Sequence, residues 1–295
     1  CQRLDGIPLA LELAAARMKL LSLEQISVRL DDRFQLLTGG SRTAVPRQQT
    51  LRATIDWSYD LLSDDERRLL RRLAVFTGGC SLEAAEQVCG GQEPHASDTL
   101  ELLSHLIDKS LVAVEDEDGE RRYRLLETVR QYARDRLFES GEAAAMRDRH
   151  LHFFERMALE AEPELIGPNH LAYVSALTAN VDNLRAALEW GLARSGNAET
   201  PLRMVCALWS FWNQRNHFGE GRQWVMRALA AAPDASRALR VRALAPGADF
   251  SYLSGDYAAA RAFGGEVVAL DDPRLGKERW AGAFATFILH VDLNG

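Results

Sequence analysis

The chain has 295 residues, of which 47% are hydrophobic and 26% are charged, and its net charge is −7. This composition is typical of globular domains, and the length suffices for roughly two or three of them. No apolar run reaches the ~18 residues that a membrane span needs, and the acidic balance disfavours nucleic acid and anionic membrane, so we expect neither as a partner.

The start of the chain and its cysteines indicate a fragment of a cytoplasmic protein. Residues 1–20 include no Met at position 1, no basic segment and no apolar signal core, and they have the pattern of a helix inside a domain. We therefore expect the chain to be cut from a longer one. Its cysteines form no CxxC pair and have no metal-ligand spacing with its histidines, which predicts isolated reduced thiols.

A short helical domain is predicted over residues 1–40. Residues 8–20 have helical periodicity, and Pro8 suits the first helical position because its missing N–H costs nothing there. Ser22 is placed to cap a second helix. The glycines and the proline of residues 38–46 predict a loop that ends this domain.

Residues 41–140 have the element order of a winged helix. Helices are predicted at residues 48–62, 64–75 and 81–88 and from Ser97, the last with Leu100, Leu103, Ile107 and Leu111 inward. Ser63 and Glu66 have the spacing of a capping box. Residues 111–125 then alternate on both sides of Asp118-Gly119, which predicts a β-hairpin. A helix from Glu127 to about Glu139 follows.

Residues 141–295 are predicted to form helical-hairpin repeats. Helices are expected at 142–160 and 170–194. The segment from Asn216 to Arg222 then aligns with the segment from Gly255 to Arg261, at an offset close to the period of tetratricopeptide-like hairpins. Each unit is predicted to contain a turn with an aromatic residue and then a helix, at 222–231 and 258–270. The fold class is therefore mainly α, with one β-hairpin, and ends in an α-solenoid of tetratricopeptide-like hairpins.

Three segments resemble known signalling ATPases. Residues 1–10, with Gly6-Ile7-Pro8, resemble the GxP motif of the NB-ARC (STAND) ATPases, the class of plant disease-resistance proteins and apoptotic-protease activators. Residues 36–62 and 123–133 resemble bacterial regulators of the AfsR/SARP and LuxR-like kinds, and predicted ATPases fused to cyclase domains. The resemblance is close from residue 1 to about 140 and is repeat-level beyond.

The resemblance implies contacts with a nucleotide held by the parent protein. Gly6, Pro8 and Leu9 would lie against the adenine of ADP or ATP, although a proline at a helix start is also common for structural reasons alone. The family's Met-His-Asp motif falls on Leu125, Leu126 and Glu127. The histidine is absent, so direct phosphate sensing by Leu126 is not expected, and Glu127 is predicted to support the start of its helix.

The chain by itself is not predicted to be an enzyme. It contains no GxxxxGK[ST] motif and no hydrophobic strand that ends in paired acids to hold Mg²⁺. It should bind no cofactor alone, and ADP or ATP would be held by an upstream nucleotide-binding domain of the same protein. That domain is the first expected partner.

Direct DNA binding is not expected, because the predicted wing and recognition helix are acidic. Residues 115–120 carry five acids, and residues 98–110 carry Asp98, Glu101 and Asp108 against Lys109 alone. The basic pairs Arg67-Arg68 and Arg71-Arg72 share a helix with three acids, which predicts a charge-paired face.

The repeats are the expected site of an unidentified protein or small-molecule inducer. A groove is predicted to contain Trp212, Arg222, Tyr257 and Arg261. The tryptophans at 190, 209, 212 and 224 could form an aromatic cage, but packing between hairpins is favoured. The preferred hypothesis is a regulatory, sensor fragment of a nucleotide-switched ATPase from a bacterial transcriptional regulator. The alternative is a tetratricopeptide-type interaction scaffold with no nucleotide role.

Overall fold

The computed structural model describes residues 25, 51–90, 99–117, 119–194 and 199–270. The chain divides into two compact units, residues 1–149 and residues 150–295. The helical domain predicted for residues 1–40, with Gly6, Pro8 and Leu9, lies outside the described residues, as does the predicted boundary at residue 40.

The first unit contains four short helices, a two-stranded sheet and a fifth helix. The helices are α1 (Leu51–Asp60), α2 (Asp64–Leu73), α3 (Leu82–Cys89) and α4 (Thr99–Asp108), followed by β1 (Ala113–Glu117), β2 (Glu120–Arg124) and α5 (Glu127–Glu139). Helix α2 packs against α3, α4 and α5, and α1 packs against α5. This order confirms the predicted helices and hairpin, although α2 ends at Leu73 and not at residue 75.

The hairpin is held by antiparallel pairing and by a third backbone segment. Val114 lies opposite Tyr123 in the register of β1 and β2. The backbone of Tyr123 also exchanges two hydrogen bonds with Cys80, at N–O distances of 2.8 and 2.9 Å. Gly79 has a φ of +89°, and a Cβ at this position would lie 2.9 Å from the carbonyl oxygen of Tyr123. A glycine is required here, since L side chains rarely adopt this conformation.

The core of the first unit is made where α2, α4 and α5 meet. Leu70, Leu103 and Leu106 are completely buried, and Tyr132 is 1% exposed. Leu100, which we predicted to point inward, is 47% exposed. The prediction was wrong because Leu103 and Leu106 define the buried stripe of α4, and Leu100 falls at its edge.

The predicted capping box is present at the start of α2. Ser63 Oγ accepts a hydrogen bond from the Glu66 amide at 3.2 Å, and Glu66 Oε2 accepts one from the Ser63 amide at 2.8 Å. Two backbone donors that a helix start leaves unpaired are thereby satisfied.

Ser63→Ala is expected to lower the free energy of unfolding of the first unit by about 1 kcal/mol, because α2 loses its side-chain cap. The measurement is urea unfolding followed by circular dichroism. Ser104→Ala, a change at an exposed serine of α4, is the control and should change stability by less than about 0.5 kcal/mol. Equal stability of the wild type and the Ser63 variant would contradict the role of the cap.

The second unit contains helices only, among the described residues. Helix α6 (Ala143–Glu164) contains the boundary between the units and is followed by α7 (His170–Ala179), α8 (Val181–Ala193), α9 (Glu199–Ala207), α10 (Trp209–Gln214), α11 (Phe218–Ala231), α12 (Arg237–Leu253) and α13 (Tyr257–Leu270). The single helix predicted at 170–194 is in fact two, divided at Asn180, whose side chain bonds to the carbonyl of Ala176. None of the described helices is long and apolar enough to span a membrane.

The two predicted repeat units have the same turn. Asn216 and Gly255, which occupy matching positions in the aligned segments, both have positive φ, at 56° and 77°. The next residue in each turn bonds back to the preceding helix, from the amide of His217 to Trp212 and from the amide of Asp256 to Ser251, both at 2.9 Å. The repeat is therefore structural, and its helices α11 and α13 begin at the aromatic residue, earlier than predicted.

Close packing joins successive hairpins of the second unit. Helix α12 packs against α9, α11 and α13. A Cβ on Gly221 would lie 2.6 Å from the ring of Phe250, so α11 and α12 approach closely only because residue 221 has no side chain. Phe250 is completely buried and meets the Trp212 ring edge-on, with centroids 6.4 Å apart.

Candidate functional site

On the hairpin of the first unit, more acidic than basic side chains are exposed without an ion pair to a described residue. Asp116 and Glu120 are exposed, and Glu115 lies 3.5 Å from Arg124 in an ion pair. Arg122 is 3% exposed and donates to the carbonyl of Gly79. Of the three arginines of β2, only Arg121 is exposed without an ion pair to a described residue, so this tip is poorly suited to a phosphate backbone.

The arginines of α2 are engaged within the first unit. Arg67 and Arg68 pair with Asp64 and Asp65 of their own helix. Arg71 and Arg72 both bind the carboxylate of Glu142, Arg71 at 2.7 Å, and Arg72 also donates to the carbonyl of Cys89. Burial raises the pKa of Glu142, but the hydrogen bonds from Arg72 and Arg71 outweigh it and hold this pKa below its ordinary value.

This arrangement confirms the charge-paired face predicted for the basic pairs of α2. A cation whose hydrogen bonds are already made to a protein carboxylate must break them to reach a phosphate. The four arginines therefore offer little to a nucleic acid.

Helix α4, placed directly before the hairpin, has one cation at its end, and that cation is paired. Lys109 Nζ donates to Glu66 Oε1, and His105 Nδ1 lies 3.4 Å from the same oxygen. Glu66 is 4% exposed. Burial raises its pKa, but bonds from Lys109 and Ser63 hold the pKa below its ordinary value. The exposed acids of the helix, Glu101 and Asp108, complete an acidic face.

The position that resembles the Met-His-Asp motif has a structural role in the described chain. Leu126 precedes α5 and makes no side-chain cap bond. Glu127, in the first turn, binds Arg130 through both oxygens at 2.7 Å. An acid in the first turn favours the helix, so the predicted supporting role of Glu127 agrees with this geometry.

A polar network that the sequence did not reveal joins α1 to α5. Asp56 Oδ1 accepts from the Tyr132 hydroxyl at 2.7 Å and from Arg136 Nη2 at 2.8 Å. Burial, and then the bond to Asp56, raise the pKa of Tyr132. Arg136 also lies over the rings of Tyr59 and Tyr132, at 5.7 and 4.9 Å from their centroids. Both partners of Asp56 are distant from it in the chain, so sequence spacing gave no signal.

Two tryptophans of the second unit are packing residues. Trp212 and Trp224 are 3% and 7% exposed, and the Trp224 indole donates to Glu220 at 3.2 Å. Trp212, a predicted groove residue, therefore lies in the core, and its place in a surface groove was a wrong prediction. The favoured alternative, packing between hairpins, describes both residues.

The other predicted groove residues lie on α11 and α13. Tyr257 is 50% exposed and meets the Tyr252 ring edge-on, at a centroid distance of 5.6 Å. Arg261 is exposed. Arg222 is committed to an ion pair with Asp256 at 2.7 Å. Tyr257 and Arg261 thus remain candidates for partner contact, whereas Arg222 links two hairpins.

An arginine recurs at the fifth residue of three helices of the second unit. Arg185 of α8 binds both oxygens of Glu220 at 2.7 Å, as Arg222 of α11 binds Asp256. Arg261 holds the same place in α13. The bond from Arg185 is the main cause that lowers the pKa of Glu220 to about 2. Arg185 and Arg222 therefore each bind a carboxylate at the start of a later helix, Glu220 in the first turn of α11 and Asp256 directly before α13.

The described residues hold no cluster of side chains suited to a metal ion. Cys80, Cys89 and Cys206 are buried and form no disulfide among the described residues. Burial raises the pKa of Cys80 to about 12 and that of Cys89 well above its ordinary value. The Cys80 and Cys89 thiols are therefore poor nucleophiles, which is consistent with the isolated reduced thiols that the sequence predicts.

Comparison with known families places the first unit. A family model described as a winged helix-turn-helix domain matches residues 62–138. Residues 62–138 form a winged-helix domain. In this domain α2, α3 and α4 are the three helices, β1 and β2 form the wing, and α5 follows it.

Relatives extend over most of the chain. A candidate HTH-type transcriptional regulator of Mycobacterium tuberculosis is 40% identical over 292 residues, which are 98% of this chain and 32% of that protein, and its Mycobacterium bovis counterpart matches equally. An uncharacterized M. tuberculosis protein is 51% identical over 147 residues, 50% of this chain and 37% of that protein. The chain thus spans about a third of the length of these curated relatives.

One solved structure has a distant likeness to the chain. It is a Signal Transduction ATPase with Numerous Domains (STAND) protein with a tetratricopeptide repeat sensor, from Pyrococcus horikoshii. The match covers 96% of this chain and 42% of that chain, at 15% identity and a TM-score of 0.37. At that score the two folds differ too much for the likeness to indicate function.

Proposed function

We propose that this chain is the control and sensor part of a nucleotide-switched ATPase of the STAND type, within a bacterial transcriptional regulator. The proposal gives the winged-helix domain a packing role and the helical hairpins a sensing role. The chain itself would neither bind ATP tightly nor hydrolyse it, and it would act in the cytoplasm.

One observation carries this proposal most directly: most cations of the winged-helix domain are already bound to carboxylates and carbonyls of the first unit. Arg71 and Arg72 bind Glu142, Lys109 binds Glu66, and Arg122 binds the carbonyl of Gly79. A domain whose charges are satisfied internally, with an acidic wing, is suited to docking against another part of the protein.

The proposed switch uses two arrangements of the parent protein. Nucleotide held by an upstream domain would clamp the GxP segment, with Gly6, Pro8 and Leu9 at the adenine, against the winged-helix domain. An inducer bound to the hairpins would favour the open arrangement. Such an inducer shifts the equilibrium only by the difference between its affinities for the two arrangements.

The open reading frame upstream of Cys1 provides the first test. A GxxxxGK[ST] motif after a hydrophobic strand is expected there, because the switch requires a phosphate-binding loop. Its absence would overturn the nucleotide role and would leave the interaction scaffold as the function of the hairpins.

Direct DNA binding is a second candidate function. It is favoured by the winged helix-turn-helix match over residues 62–138. It is also favoured by the names of the longer relatives, which are HTH-type transcriptional regulators by name. The charges of the described domain disfavour it, and DNA binding by the parent is better assigned to a separate domain.

In a gel-retardation assay, the 295-residue chain is expected to leave a duplex of random sequence unshifted at micromolar protein and ordinary salt, because few cations are free to replace counterions. Arg121→Glu is the matched control, since Arg121 is the exposed arginine of β2 that has no ion pair with a described residue. A wild-type complex that weakens with salt and is lost in this variant would contradict the packing role.

A further inference from the structure

The second unit contains a buried carboxylate that forms no ion pair with a cation of the described residues. Asp249, in the middle of α12, is 6% exposed. Its Oδ2 accepts two hydrogen bonds of 2.8 Å, one from Trp209 Nε1 and one from Asn213 Nδ2, which lie on α10. Both donors are neutral, so the negative charge of Asp249 is stabilised by hydrogen bonds alone.

The arginines of the helices that pack against α12, and those of α12 itself, have other partners. Arg237 donates a hydrogen bond to the carbonyl of Leu270. The other arginines form ion pairs: Arg203 with Glu155, Arg222 with Asp256, Arg227 with Glu189, Arg240 with Glu266, and Arg242 with Glu162. Arg261 is exposed on α13 and makes no ion pair with Asp249. Burial accordingly raises the pKa of Asp249, against the effect of the two hydrogen bonds, with no arginine among the causes.

The second oxygen of Asp249 is available to a ligand. Oδ1 accepts no hydrogen bond from the described residues, so its lone pairs can accept one from a ligand. The half-buried side chains of Trp209 and Asn213 lie beside it at the surface. A carboxylate oxygen that accepts no hydrogen bond from the described residues is a favourable partner for an organic cation.

We propose that Asp249, Trp209 and Asn213 form a binding site for the ammonium or guanidinium group of the inducer. This inference rests on the proposed sensing role of the hairpins and gives the inducer a chemical class. The cation would pair with Oδ1 while the Trp209 and Asn213 side chains hold Oδ2 in place. Such a group can belong to a free amine or to a Lys or Arg side chain of a polypeptide.

The test is an NMR titration of the 295-residue chain at constant ionic strength, with the indole N–H resonance of Trp209 assigned by its absence in Trp209→Phe. The probes are n-butylammonium, methylguanidinium and a tri-lysine peptide, and n-butanol is the uncharged control. We expect a saturable shift of this resonance with the cations and none with n-butanol. If tri-lysine binds more tightly than n-butylammonium, the cationic group belongs to a polypeptide. If the two bind equally, it belongs to a free amine.

Two substitutions separate the charge of Asp249 from its packing. Asp249→Asn keeps the size of the side chain and removes its charge. It is expected to lower the affinity for the cationic probes about tenfold or more, the equivalent of one lost charged contact. Asp234→Asn, at an exposed aspartate of the loop before α12, should bind as the wild type does. Unchanged affinity in Asp249→Asn would overturn the site.

The wild-type titration decides the question even where Asp249→Asn fails to fold, since the absence of any saturable shift with the cations also overturns the site. The titration needs no nucleotide-binding domain. A negative result therefore removes this ligand site alone, whereas the upstream reading frame and nucleotide binding by the parent decide the switch.

Discussion

Phe250→Ala is expected to lower the free energy of unfolding of the second unit by about 3–5 kcal/mol, the range for truncation of a fully buried phenylalanine. The ring fills the space that Gly221 leaves on α11 and meets the edge of Trp212. Because residue 221 has no side chain that could move into the gap, the cavity should collapse little.

Urea unfolding of the 295-residue chain, followed by tryptophan fluorescence, measures this loss. Leu253→Ala is the control on the same helix, since Leu253 is 43% exposed, and it should cost less than about 1 kcal/mol. A Phe250 variant no less stable than the Leu253 variant would show that α11 and α12 do not pack as described.

Acidification from pH 7 to pH 4 is expected to remove about 3 kcal/mol from the stability of the second unit through one histidine. His150 is 2% exposed, and its Nε2 lies 3.3 Å from Asn183 Oδ1. Burial lowers its pKa from the ordinary 6.5 to about 4, against a smaller effect of the bond to Asn183. Between these values the unfolded chain binds the proton and the folded chain does not, so stability falls as pH falls.

The His150 contribution is measured as a difference between two variants, because carboxylates also titrate in this range. His150→Gln should flatten the dependence of the unfolding free energy on pH between 6.5 and 4. His152→Gln changes a neighbouring histidine whose side chain is 61% exposed and should leave the dependence as in the wild type. Parallel curves for the wild type and His150→Gln would contradict a buried neutral imidazole.

Local signals in the sequence predicted most of the described fold. Ser63 and Glu66 stand at the two ends of a single helical turn and cap α2 as expected, since a capping box depends only on nearby residues. The internal alignment found the paired turns at Asn216 and Gly255.

Contacts between distant residues explain most of what the sequence did not predict. Leu100 and Leu103 have the same residue type, and only the packing of α2 against α4 decides which is buried. Trp212 was a reasonable groove residue by type, but Phe250, on the later helix α12, covers it. Asp56 and Asp249 accept hydrogen bonds from donors on other helices, so local sequence spacing could not indicate these contacts.

The proposed regulatory role assigns one task to the winged-helix domain and another to the hairpins. The acidic wing and the internally paired arginines support the proposed intramolecular docking of the domain. In the hairpins, Asp249 is the proposed binding residue for a cation. We infer that the two activities, nucleotide control and inducer sensing, meet in the parent protein.

The central claim is tested most directly by the equilibrium affinity of the parent protein for ADP. The protein to be measured contains this chain joined to the proposed upstream nucleotide-binding domain. Pro8→Asp is predicted to lower the affinity for ADP about tenfold or more, because a carboxylate would replace the apolar ring expected at the adenine. Pro46→Asp, in the predicted loop, is the matched control and should bind ADP as the wild type does. Equal ADP affinity of the wild type and Pro8→Asp would contradict the account.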